Sequence, residues 1–146
     1  MKTLLRDVNV LWTPDLTVGS VSLDERNRAM FGRLAAAEET IGSATPSGLS
    51  GWLRATLDQL ELLLQAEERE LDAIGYPELD FHRRLHGRAR TRIQSCRIQL
   101  DKAEDPAVLA QLTRDICAEL AVWLMRHMQD ADKLFFPYID TRYRDA

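Results

Sequence analysis

A chain of 146 residues, 45% hydrophobic and 29% charged, is one domain's worth of globular sequence with material for its own core, and wholesale disorder is excluded. A formal net charge of −4 argues against a general nucleic-acid binder, which needs a basic surface against phosphates. No apolar run approaches the roughly 20 residues that span a bilayer; Arg6 and Asp7 interrupt any signal-peptide core. A cytoplasmic protein is expected, with Cys96 and Cys117 as buried free thiols.

Residues 1–21 read as an irregular N-terminal arm, with Trp12 and Leu16 packing onto the body. Ser22 and Glu25 have the spacing of a capping box, so a first helix is predicted from about Leu23 to Ile41, with Leu23, Phe31, Leu34 and Ile41 inward. Gly42 and the stretch SATPSG stop it. A second helix runs from about Leu49 to Ile74 on a stripe of leucines, and Gly75-Tyr76-Pro77 ends it. A third covers about Glu78 to Leu100, with Leu79, Leu85, Ile93 and Leu100 inward. Asp105 caps a fourth, with Pro106 at its first position, that runs to Asp130. A short helical segment is expected from Lys133 to Asp140. No strand pattern or repeat appears. The expectation is a single all-α domain over 1–146, an antiparallel up-down-up-down four-helix bundle over 22–140 behind the arm. The arginine-rich run of the third helix, Arg83 to Arg92, reads as a solvated face pairing with Glu61, Glu68 and Asp72 of the second, and Arg90 is expected to point outward.

Function begins where the apolar stripes are broken. Glu67 falls among Leu60, Leu63, Leu71 and Ile74 on the inner face of the second helix. A carboxylate there is costly unless it is paired or bound to a metal. His82 and His86, four residues apart, point off one face of the third helix. His127 lies on the stripe of Leu120, Trp123 and Leu124, and Asp132 follows five residues later. That is a poor same-face spacing, so the chain there must bend, widen or end. In an up-down-up-down bundle Glu67, His82, His86 and His127 fall in one layer, which takes in all three histidines of the chain. Such a convergence of imidazole and carboxylate is better read as a metal site than as a set of satisfied core histidines.

Three segments resemble the bacterial hemerythrin family. LWTPDLTVGSVSLDERNRAMF is similar to the family's opening Trp, loop and first ligand helix; EERELDAIGYPELDFHRRLH is close to its Glu-to-HxxxH segment; WLMRHMQDADK is similar to its WLxxH followed five residues later by Asp. The resemblance implies a four-helix bundle holding two irons bridged by a Glu and an Asp. One iron would take three His ligands, here His82, His86 and His127, with Glu67 and Asp132 as the bridging carboxylates. The other would take two His and bind dioxygen, drawing one electron from each iron. Both of those histidines are replaced, by Asn27 and Leu63. Leu63 has no donor atom, Asn27 offers only a neutral amide oxygen, and Gln59 sits too far from the layer. Asn27 is expected to hydrogen-bond Glu67, Asp132 or a trapped water.

The expected function is binding of one non-haem metal ion, iron first and zinc or manganese as alternatives, in a sensing, metal-handling or redox role. Two other readings stand beside it: an oxygen-binding diiron protein with unusual second-site ligands, and a metal-free partner-binding scaffold. Dioxygen or another small diatomic is the ligand to consider besides the metal; a membrane or nucleic-acid partner is not expected, and no protein partner is indicated. No nucleophile–base set or phosphate loop points to an enzyme.

Overall fold

The computed structural model describes residues 16–135 and 137–139. Trp12 and Asp140 lie outside the described residues. The described residues form, in order, α1 (Val21–Ala35), α2 (Ala37–Ser43), α3 (Pro46–Ala73), α4 (Leu79–Lys102) and α5 (Pro106–Asp130). A 3-10 turn, Asp132–Phe135, follows α5, and residues 137–139 are again helical. The long elements form a helical bundle: α1 packs on α3 and α5, α4 closes the other side against the same two, and α3 meets α5 across the middle. Among the described residues there is no strand.

The first predicted helix is two. Ala36 stands between α1 and α2 at φ −81° and ψ 4°, and its N–H reaches the carbonyls of both Gly32 and Arg33. Nothing in the run Ala35-Ala36-Ala37 disfavours a helix; the bend accompanies the fully buried packing of Ala37. The first cap also differs from the expected Ser22–Glu25 box. Ser20 is the N-cap, its Oγ accepting from the Leu23 N–H at 3.3 Å, while Ser22 lies inside α1 and its hydroxyl donates to Glu70. Asp24 Oδ1 accepts from the Val18 N–H at 2.7 Å and ties the entering chain to the first turn.

The other boundaries follow local chemistry. Thr45 caps α3 on the Gly48 N–H, with Pro46 at the first position, so α3 begins three residues before its first inward leucine. Its end is a Schellman turn. Gly75 takes φ 71°, Tyr76 N–H donates to the Leu71 carbonyl and Gly75 N–H to that of Asp72. Asp105 caps α5 as expected.

Two apolar clusters fill the interior. The larger runs the length of the bundle through Phe31, Leu34, Leu53, Leu60, Leu64, Ile93, Ile116 and Leu124. The smaller, of Val18, Leu23, Leu71, Tyr76, Leu79 and Ile139, closes one end. Cys96 and Cys117 are both buried and free.

The corrected cap is testable by denaturant unfolding. Ser20→Ala should cost about 1 kcal/mol, the usual value of an N-cap oxygen, and Ser22→Ala less than about 0.5 kcal/mol. The reverse order would return the cap to Ser22.

Candidate metal centre

The end of the bundle closed by the smaller cluster holds the polar layer. Glu67 lies in the last turns of α3, His82 and His86 in the first turns of α4, and His127 in the last turn of α5. The tight α3–α4 turn at Gly75 brings the first of these histidines back beside Glu67. The helix ends just after His127: Ala131 N–H donates to the His127 carbonyl, and Asp132 opens the 3-10 turn. That change of helix type turns a five-residue spacing into a convergent one. All five side chains are buried.

One ligand atom from each of Glu67, His82, His86 and His127 lies within 4.8 Å of the others. Glu67 Oε1 is in close contact with His82 Nε2, 3.0 Å from His86 Nε2 and 3.4 Å from His127 Nε2. His86 Nε2 and His127 Nε2 are themselves 3.0 Å apart. Asp132 Oδ1 approaches His127 Nε2 at 2.8 Å and His82 Nε2 at 3.1 Å, yet both Asp132 oxygens lack an aligned hydrogen bond. Hydrogen bonding alone fits this badly. One carboxylate oxygen has two lone pairs and faces three ring nitrogens, two of those nitrogens face each other, and a buried carboxylate beside them meets the same nitrogens without an aligned hydrogen bond. Donor atoms that converge without pairing fit a cation held among them.

The two carboxylates make the layer favour positive charge. Burial pushes Glu67 up, but contacts with His127, His82 and His86 outweigh it and hold its carboxyl well below the usual range. Asp132 is raised, by burial first and then by the charge of Glu67. Burial disfavours the charged form of His82 and His127. The carboxylates of Asp132 and Glu67 overcome this and lift the rings to about 9 and about 10.

The surroundings hold groups that the sequence did not single out for the site. His86 Nδ1 lies 3.1 Å from Glu68 Oε2. Arg90, expected to point outward, binds Glu68 through Nη2 at 2.5 Å and Glu61 through Nε at 2.7 Å. The predicted pairing of this arginine face with Glu61 and Glu68 is therefore present, but it reaches a site imidazole. Trp123 stacks on His127, ring centroids 4.6 Å apart at 12°. Tyr76 meets His82 edge-on at 6.4 Å. The available signal was register: Glu61 and Glu68 are seven apart on one helix, and His86 and Arg90 four apart on the next.

The two positions that the resemblance marks as replaced, Asn27 and Leu63, behave differently. Leu63 is buried and belongs to the main apolar cluster. Asn27 is buried too, but both atoms of its amide lack a hydrogen-bond partner. The expected bond to Glu67 or Asp132 is not made: the α1 backbone carries Asn27 inward without bringing its amide into line with either carboxylate. Gln59 is exposed and supplies no donor to the layer.

The family model of the hemerythrin HHE cation-binding domain matches residues 20–139. No curated protein matches the chain.

Proton release provides a test of the centre. Two rings raised above their ordinary 6.5 must lose protons to accept a cation at neutral pH. Zinc titrated into the metal-free chain at pH 7 should release protons, seen as a binding heat that depends on the buffer's ionisation enthalpy. Because the folded-state values are raised, the rings' contribution to metal-free stability is complete below about 6.5. It is lost as pH rises through about 9 and about 10. Melting temperatures of the metal-free chain should fall across that alkaline window; a flat profile without proton release would contradict the arrangement.

Proposed function

The chain belongs to the hemerythrin HHE cation-binding family, and on that premise we propose that it keeps one metal site and has lost the other. A single non-haem ion, iron, would be held by His82, His86 and His127 together with Glu67, with Asp132 completing or flanking the shell. The observation that carries this reading is the crowding of three Nε2 atoms on Glu67 Oε1. Iron, when bound, supplies one-electron redox chemistry. Three imidazoles with carboxylate also suit zinc and manganese, so the donor set favours a transition metal without selecting iron against these.

The chain's own groups would do the remaining work. Glu67 and Asp132 bring negative charge against the cation. The cluster of Val18, Leu23, Leu71, Tyr76, Leu79 and Ile139 packs apolar side chains at that end of the bundle. Leu63 puts hydrocarbon where the family resemblance calls for an imidazole. A role in sensing, metal handling or redox chemistry follows more readily than reversible oxygen carriage, which requires the second iron. A cytoplasmic setting is supported by two buried cysteines left as free thiols. No helix among the described residues is long and apolar enough to cross a membrane. The second reading, a diiron oxygen binder with an unusual ligand, draws support from the unpaired buried amide of Asn27.

Metal analysis after anaerobic reconstitution should give one ion per chain, and His86→Ala should weaken binding by more than about a hundredfold, beyond the effect of an outer-shell change. Two irons per chain would favour the second reading, and none would favour a metal-free scaffold.

The ferrous protein exposed to air should give no reversible oxygen-dependent visible spectrum. Asn27→His combined with Leu63→His should introduce a second equivalent of iron, since residue 63 lies on the face of Glu67 one turn away. A reversible spectrum in the unaltered chain would overturn the single-site reading.

A further inference from the structure

Consecutive carboxylates at Glu67 and Glu68 take opposite roles. Glu67 points into the layer; Glu68 lies on its flank, against the outer edge of a fully buried ring. Its Oε2 is 3.1 Å from His86 Nδ1, and its side chain is only 13% exposed, so water competes weakly for that contact. A carboxylate held anionic accepts hydrogen bonds and does not donate them. A proton on His86 Nδ1 would meet this acceptor, and the ring would then be free to offer its Nε2 lone pair to a cation. Nε2 is the atom facing Glu67 Oε1 and His127 Nε2, each at 3.0 Å.

Glu68 is itself fixed. Arg90 grips both its oxygens, Nη2 to Oε2 at 2.5 Å and Nη1 to Oε1 at 3.2 Å. The same guanidinium reaches Glu61 through Nε at 2.7 Å. Arg83 Nε approaches Glu68 Oε1 at 3.7 Å. Arg90 is one turn beyond His86 on α4, and Glu61 is two turns before Glu68 on α3, so the chain of contacts follows the seam between the two helices. A planar fork with fixed donors holds a carboxylate in one orientation better than a flexible ammonium does.

We propose that Glu68 and Arg90 are positioning residues for the metal centre: Glu68 sets the tautomer and tilt of His86, and Arg90, anchored on Glu61, keeps Glu68 on the flank and out of the site. This rests on the metal-binding reading above. A metal-bound imidazole commonly donates its other ring N–H to a carboxylate, which orients the ring and raises its basicity. Here that carboxylate is the immediate neighbour of a candidate ligand, and the arginine separates the two roles.

The test is zinc affinity of the full chain, measured by competition with a chromophoric chelator, with circular dichroism following the fold of each variant. Glu68→Leu should weaken zinc binding about ten- to a hundredfold, the range typical of such outer partners, with stoichiometry unchanged. Arg90→Met should weaken it in the same direction. Glu68→Gln retains an acceptor oxygen and Arg90→Lys retains the charge, so each should recover part of the loss. Arg97→Met removes another α3–α4 ion pair, Arg97 to Asp58 at 2.7 Å, and should leave affinity unchanged. A second measurement needs no variant: in the zinc-loaded unaltered chain, nitrogen NMR of His86 should find the proton on Nδ1. A proton on Nε2 would overturn the proposal, as would Glu68→Leu and Arg90→Met chains that bind zinc as the unaltered chain does. No uptake by the unaltered chain would overturn the metal-binding reading and this one together; uptake with unchanged variants would overturn this one alone.

Discussion

The carboxylate of Glu67, buried among three imidazoles, is the constraint on which the rest of this structure depends. A buried charge without partners is expensive, so the fold must deliver donors to it from separate helices. α3 supplies Glu67, α4 supplies His82 and His86, and α5 supplies His127. Those helices must agree in register as well as in rotation. The Schellman turn at Gly75 meets the first demand by joining α3 to α4 with little slack. The end of α5 meets the second, because a continued α-helix would carry Asp132 away from His127 while the 3-10 turn brings it to 2.8 Å.

The same constraint accounts for how the bundle is finished at that end. Val18 and Leu23 come from the chain's entry into α1, Leu71, Tyr76 and Leu79 from the α3–α4 turn, and Ile139 from beyond α5. Together they form an apolar cluster beside the polar layer, whose five side chains are buried, so that attractions among them are weakly screened. On the other side the main core continues through Leu60, Leu63 and Leu64. Leu63, buried in that cluster, keeps the core apolar beside the layer. Asn27, buried as well, is left with an amide that has no hydrogen-bond partner.

Much of this was legible in the amino-acid sequence because it rests on period and on local chemistry. Leucine spacing in α3 and the Asp105-Pro106 start of α5 follow from rules that act within a few residues. The site was legible for a related reason: a Glu and three His on otherwise apolar stripes are conspicuous, and bundle topology places them in one layer. The failures concern interactions between elements. The bend at Ala36 leaves no mark in a run of alanines. Ser20 and Ser22 both precede the same helix with suitable chemistry, and the entering chain, held by Asp24 to Val18, decides between them. Leu85, expected inward, is only half-buried because it faces grooves between α4 and α5. The pairing of the arginine face with Glu61 and Glu68 was legible, but no single-helix pattern reveals that Glu68 also touches His86.

On the proposed reading, one metal ion is held by three imidazoles and carboxylate, with the neighbouring site closed by Leu63 and left incomplete at Asn27. X-ray absorption at the iron edge of the anaerobically loaded chain tests it most directly, since the scattering reports both the imidazole ligands and any second metal nearby. Multiple scattering from several imidazoles around iron is expected, with no metal–metal path. A clear iron–iron path, or a first shell without imidazole, would contradict it.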